Sequence, residues 1–413
     1  MTWLLLWSYA WLAVGTPQTV PADTLLRRAV QEGTPLVDRV EDDHRYVLVT
    51  FVWRGNANTK TIAVMGTFLK APIVAMTRIG NSDVWSLSTK VPIRARFTYW
   101  LAENSPMTTE GPQVGAMLAS LQADPLNPHR TCAADAPLKG CKSVVELSDA
   151  PPQPWILKNA STPAGRVDHV RFRSERLNNE RAVFVYTPAG YRASGEPNAL
   201  LIMFDGGAHL SAVPTPTILD NLIAASRIPP TVAILIANPD LATRTRELMP
   251  NPDVPEFLMT ELLPWIHARY NVTRDPRLTV VAGVSYGGVA ATYAAMRHPE
   301  VFGNVLCQSG DFSWAPDHIH TIGQLADATT ETGWLAKEFL RSPTLPIRFY
   351  LTAGTFEVDQ VGTGGMVLET SRHMRDVLLA KGYEVHYQQF VGDHDPFSWR
   401  GMLADGLIEL IGR

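Results

Sequence analysis

Two rhythms of apolar positions divide the chain. Between Tyr46 and Leu101, short alternating or aromatic runs occur at Tyr46 to Trp53, Thr61 to Met65, Val84 to Ser88 and Arg96 to Leu101, separated by Gly, Asn, Asp and Pro. Alternation bounded by turn formers predicts half-buried strands, and no long helical period interrupts them. The pattern predicts a small all-β sandwich over residues 24–150. A stiff linker over 151–168 follows, opening with Pro151-Pro-Gln-Pro-Trp155, which cannot continue a helix or a central strand.

From residue 169 to 413 the rhythm changes. Nearly continuous apolar runs at Ala182 to Tyr186, Ala199 to Phe204, Val232 to Ala237, Leu278 to Ala282, Asn304 to Cys307, Ile347 to Thr352 and Val385 to Phe390 predict strands. Between and after them, helical spacing runs over Pro255 to Arg269, Gly287 to Arg297, Gly364 to Lys381 and Trp399 to Ile411. Strands buried on both faces and alternating with helices make a mostly parallel sheet covered on both sides. Such a sheet presents its site beyond the carboxyl ends of its strands.

The strand Leu278 to Ala282 runs into Gly283-Val-Ser285-Tyr-Gly287-Gly288 and then an alanine-rich helix. This is a nucleophile elbow of an α/β hydrolase: Ser285 takes a strained turn, and the small residues around it let strand and helix approach. A serine hydroxyl needs a base, and in this fold the order is Ser, acid, His. His394 lies just after the last predicted strand. The acid belongs after Ile347 to Gly354, where the next carboxylates are Glu357 and Asp359, with Glu357 the first choice by position. An oxyanion needs two fixed N–H donors. Tyr286, after the nucleophile, supplies one, and Gly207, in the Phe204-Asp-Gly-Gly207 loop, supplies the other. His318-Ile-His320 has no further ligand nearby, so neither a metal nor any other cofactor is expected.

Charge and cysteines refine this picture. The 413 residues carry a net charge of -4, which gives no case for nucleic acid. Residues 1–15 form an apolar leader too short to span a bilayer, with Ala13 and Gly15 suited to cleavage. As a signal peptide it implies a periplasmic or secreted protein without a membrane span; otherwise the chain stays in the cytoplasm. Cys132 and Cys141, close together in a Pro/Ala/Gly/Asp-rich stretch, are expected to pair, and Cys307 to stay a buried thiol.

The region from about Val170 onward resembles the enterobactin (enterochelin) esterases. The matching words include Ser174-Glu-Arg-Leu-Asn178, Phe204-Asp-Gly206, Arg246-Glu-Leu248, Glu261-Leu-Leu-Pro264, Val281-Ala-Gly-Val-Ser285, Pro299-Glu-Val-Phe-Gly303, Gln308-Ser-Gly310 and Gly392-Asp-His394-Asp395 with Trp399-Arg-Gly401. The resemblance extends forward through Val49-Thr-Phe-Val-Trp53-Arg54 and Gln122-Ala-Asp-Pro-Leu-Asn127. It implies an immunoglobulin-like sandwich before the hydrolase unit, a triad of Ser285, His394 and Glu357, and a small-molecule ester substrate such as a ferric catecholate trilactone. Iron would then be cargo. A bulky anion calls for local cations: Arg244, Arg246 and Arg400 are the candidates, with Trp399 beside the catalytic turn. A plant-wall feruloyl or acetyl esterase is the alternative, with Trp53, Trp85 or Trp100 on carbohydrate. A non-catalytic binding protein would have no need of the elbow.

Overall fold

The computed structural model describes residues 20–109, 111–133, 135–315, 333–358 and 366–412. The leader 1–15, His318, His320 and Asp359 therefore lie outside the described residues.

In the first unit, β1 (Leu36–Arg39), β2 (Tyr46–Arg54), β3 (Ile62–Met65), β4 (Ile73–Ala75), β5 (Thr77–Arg78), β6 (Val84–Pro92), β7 (Arg96–Glu103), β8 (Leu121–Gln122) and β9 (Ser143–Glu146) form two sheets. One is ordered β1-β2-β6-β5 and the other β4-β3-β7-β8, with β9 on β7; every pairing is antiparallel. Phe51, Phe97, Tyr99 and Leu101 fill the space between them. A helix, Ala22–Glu32, precedes the strands and buries Leu25 and Ala29, one turn apart. The β alternation gave no sign of it. Trp53 and Trp85 pack on this core, and Trp100 packs beside Met65 and Ala102. All three Trp residues thus serve packing rather than an open carbohydrate platform. The buried Asp124 accepts hydrogen bonds from the Thr34 and Tyr99 hydroxyls, and Asn127 donates to Tyr99, so the Gln122–Asn127 word is structural. Cys132 and Cys141 are bonded, and Cys307 is a free, buried thiol.

The second unit contains β10 (Arg166–Ser174), β11 (Asn179–Thr187), β12 (Ala199–Phe204), β13 (Thr231–Ile236), β14 (Thr279–Val284), β15 (Asn304–Gln308), β16 (Arg348–Gly354) and β17 (Glu384–Phe390). They form one eight-stranded sheet in the order β10-β11-β13-β12-β14-β15-β16-β17. β12 to β17 run parallel, and β10 and β11 add an antiparallel edge. Every residue of β12, β13 and β14 is buried, because apolar cores cover both faces.

The predicted helix over Pro255 to Arg269 is interrupted. It reads as Asp253–Phe257, a π turn at Leu258–Leu262, and Leu263–His267. Pro264 removes an N–H, and the wider turn accommodates its ring. No helix among the described residues is long and apolar enough to cross a membrane.

Candidate active site

At the carboxyl end of β14 the chain turns directly into the helix Tyr286–Arg297, with Ser285 at φ 54° and ψ -125°. Few non-glycine residues accept such a backbone, and those that do cluster at functional sites. Close packing enforces the turn. A Cβ on Gly283 would sit 2.3 Å from the Gly287 carbonyl, and one on Gly288 would sit 2.6 Å from the Cys307 sulfur. The helix can therefore approach β14 and β15 only with glycine at both positions. The first-turn amides of Tyr286 and Gly287 precede any intrahelical acceptor and point out of the helix end.

Glu357 follows β16 and is fully buried. Its Oε1 lies 3.1 Å from Nδ1 of His394, and its Oε2 accepts the Gly354 N–H at 2.8 Å. His394 follows β17, half-buried, with its ring edge-on to Trp399 at 4.8 Å between centroids. The Trp399 indole N–H donates to Ser309, which fixes the wall against which the imidazole rests.

Ser285, His394, Tyr286, Gly207 and Trp399 all line one cleft of about 930 Å³. The structure thus brings together residues more than a hundred positions apart in sequence. With Glu357 behind the imidazole, the arrangement can hold a nucleophile, a base and an orienting carboxylate.

Gly207 begins the short helix Ala208–Ser211 with ordinary helical dihedrals and open space where a Cβ would stand. The glycine demanded by packing is its neighbour. A Cβ on Gly206 would meet the Leu235 carbonyl carbon at 2.6 Å. The loop thus owes its closeness to Gly206, while Gly207 faces the cleft.

The arginines divide. Arg244 lines the cleft, but its Nε and Nη2 grip both oxygens of Asp205 at 2.6 and 2.8 Å, so its charge is already matched. Arg246, two positions along the helix Leu241–Leu248, points to another side, largely exposed, with Glu247 at 3.8 Å. Arg400 is held by Gln153 at 2.7 Å and lines a separate cleft of about 740 Å³ with Lys142 and Glu146. The structure therefore brings neither Arg246 nor Arg400 to the cleft lined by Ser285 and His394.

Three residues in or beside the cleft are given no site role by the sequence. Asp205 has φ 59° and anchors Arg244 and Asn238. Asp311, buried in the cleft wall and bonded to Ser313, has its carboxyl pushed up by burial. His209 is fully buried on the Gly207 loop. The signal for two of them was present, since Asp205 sits in Phe204-Asp-Gly206 and Asp311 follows Gln308-Ser-Gly310. Among the described residues, no three His, Cys, Asp or Glu side chains gather as a metal site.

His209 carries a pH prediction. Burial lowers its pKa from 6.5 to about 4, and its Nδ1 faces only the Thr215 hydroxyl at 3.2 Å. The folded pKa is depressed, so the associated stability is present above pH 6.5 and is lost as the pH falls toward about 4. The loss should be about 3 kcal/mol. His209→Gln cannot gain that charge and should lose less stability than the parent between about pH 7 and pH 4.5 in urea melts. Parallel pH curves for the two proteins would exclude this role.

Residues 174–410 match the family described as "Putative esterase", and residues 48–156 match "Enterochelin esterase, N-terminal". The iron(III) enterobactin esterase of Dickeya dadantii is 30% identical over 412 aligned residues, covering 92% of this chain and 90% of its own. The crystal structure of ferric enterobactin esterase from Salmonella typhimurium has a TM-score of 0.77 at 27% identity, covering 94% of this chain and 98% of that one. The enterobactin esterase of Shigella flexneri, crystallised in the presence of enterobactin, has a TM-score of 0.73 at 28% identity, covering 91% and 95%.

Proposed function

This chain belongs to the iron(III) enterobactin esterase family, and from that premise we propose that it cleaves the ester bonds of a catecholate siderophore's trilactone ring, with iron as cargo on the substrate. The observation that carries the catalytic assignment is the 3.1 Å pairing of the buried Glu357 with His394, which lines the same cleft as Ser285 on its strained elbow.

In this reading Ser285 Oγ attacks the lactone carbonyl while His394 Nε2 takes its proton. Glu357 holds Nδ1–H and so keeps Nε2 as the acceptor; it also stabilises the imidazolium. The oxyanion is met by the N–H groups of Tyr286 and Gly207. His394 returns the proton to the departing alkoxide and the ring opens, leaving an acyl-enzyme. Water, deprotonated by the same imidazole, then releases the acid and restores Ser285. The paired Arg244 and Asp205 form a neutral, hydrogen-bonding wall, with the guanidinium over the Tyr286 ring at 5.7 Å. The two packed sheets of the first unit support its reading as an immunoglobulin-like sandwich. The Cys132–Cys141 bond supports the exported reading of residues 1–15.

The substrate reading is tested by incubating the purified protein with enterobactin, its ferric complex, methyl ferulate and p-nitrophenyl acetate, and export by fractionating its native host into cytoplasm, periplasm and medium. The trilactones should be cleaved with kcat/KM at least about a hundredfold above methyl ferulate, about 2.7 kcal/mol of transition-state discrimination. A preference for the ferulate would overturn the siderophore assignment. Protein found only in the cytoplasm would overturn export alone.

A further inference from the structure

His394 sits between two carboxylates, and residues of the first unit hold both. On one side the buried Asp393 accepts, at Oδ2, the Thr98 hydroxyl at 2.7 Å and the Thr98 amide at 2.9 Å. On the other, Asp395 Oδ2 takes the Lys142 ammonium at 2.6 Å, while its Oδ1 caps the helix Pro396–Ile411. Thr98 lies on β7, and Lys142 immediately precedes β9.

The backbone repeats the pattern. The Arg96 amide of β7 donates to the Val391 carbonyl at 2.9 Å, and Arg96 and Gly392 form a parallel bridge. A Cβ on Gly392 would come within 2.8 Å of the Arg96 carbonyl oxygen, so β7 lies directly against the histidine's loop. The acid is tied in as well. Phe356, next to Glu357, inserts its ring among Phe68 and Phe97 of the first unit's core, and its amide donates to the Gly392 carbonyl at 3.0 Å.

These contacts bear on geometry rather than on stability alone. A base works only while its ring stays within hydrogen-bond reach of the hydroxyl it serves, and small displacements are costly. Glu357 orients the ring of His394 itself, and the two flanking carboxylates fix the backbone that carries it. We propose that the first unit is part of the catalytic apparatus, and that Thr98, acting through Asp393, and Lys142, acting through Asp395, are positioning residues that set where His394 stands. The proposal rests on the assignment of Ser285 and His394 as nucleophile and base.

The test uses the full chain and p-nitrophenyl acetate, with reactive sites counted by a fluorophosphonate burst so that misfolded protein drops out. Thr98→Val deletes the hydroxyl and keeps the amide donor. Lys142→Met removes a partly exposed ammonium outside the cleft of Ser285 and gives a second, independent variant. Each single variant should lower kcat per titrated site by about fivefold and the double variant by at least about twentyfold, with KM within about twofold. Thr98→Ser should restore the parent kcat. Unchanged kcat per titrated site in both single variants, or losses confined to the titrated fraction, would overturn the positioning role. Turnover retained by Ser285→Ala would instead sink the catalytic assignment beneath it, and that result is read independently.

Discussion

Ser285→Ala should abolish ester turnover while yielding a protein that folds as the parent does. Removing the nucleophile of a serine–histidine–carboxylate constellation lowers kcat by about 10⁴ to 10⁶, the remainder coming from binding and the oxyanion donors. Stability should move by less than about 1 kcal/mol, since alanine keeps the Cβ and the Ser285 amide still donates to the Gln308 carbonyl at 2.9 Å. Ser285→Gly should be equally inactive yet more stable than the parent by about 1 kcal/mol, because only glycine occupies φ 54°, ψ -125° without crowding. The pair of variants separates chemistry from strain. Turnover surviving in Ser285→Ala would move the nucleophile elsewhere. A Ser285→Gly protein less stable than the parent would show that the elbow stores no strain.

That so much of this site could be read from one sequence follows from where its constraints act. The elbow is local: Gly283, Ser285 and Gly288 lie within six positions, and close packing around the turn demands the two glycines. His394 and Glu357 were legible for a different reason, since parallel strands deliver the residues after their carboxyl ends to one edge of the sheet. Arg246 failed because direction around a helix is not set by composition. Two positions along the helix rotate a side chain by more than half a turn, so Arg244 and Arg246 could not both face the cleft.

The longer segments shared with the family mix site with scaffold in the same way. Glu247 binds Arg181 and Asn179, and Glu261 binds Ser174, all in the service of the fold. β10 escaped notice because its alternation is built from arginine and histidine on an exposed edge. The contacts of Thr98 with Asp393 join residues 295 positions apart. No local pattern encodes them, so they require the assembled structure.

Glu357→Gln should lower kcat by about 10³ to 10⁴ near neutral pH, with little change in KM. Geometry dictates the size of this effect for a change so nearly isosteric. One carboxylate oxygen accepts the Gly354 N–H at 2.8 Å and the other faces His394 Nδ1 at 3.1 Å. A glutamine has a single oxygen for these two places. If that oxygen turned to the imidazole, the amide NH2 would confront the Gly354 N–H, donor against donor in a fully buried site. The oxygen will therefore stay with Gly354 and the NH2 will face Nδ1. Nδ1 must then accept, the ring proton moves to Nε2, and the nitrogen that should take the proton of Ser285 already carries one. The variant should melt within a few degrees of the parent, and an ¹⁵N spectrum of His394 should report the exchanged tautomer. A loss of less than about tenfold, or about 1.4 kcal/mol, would mean that another group orients the imidazole, and Asp359 would be the next residue to change.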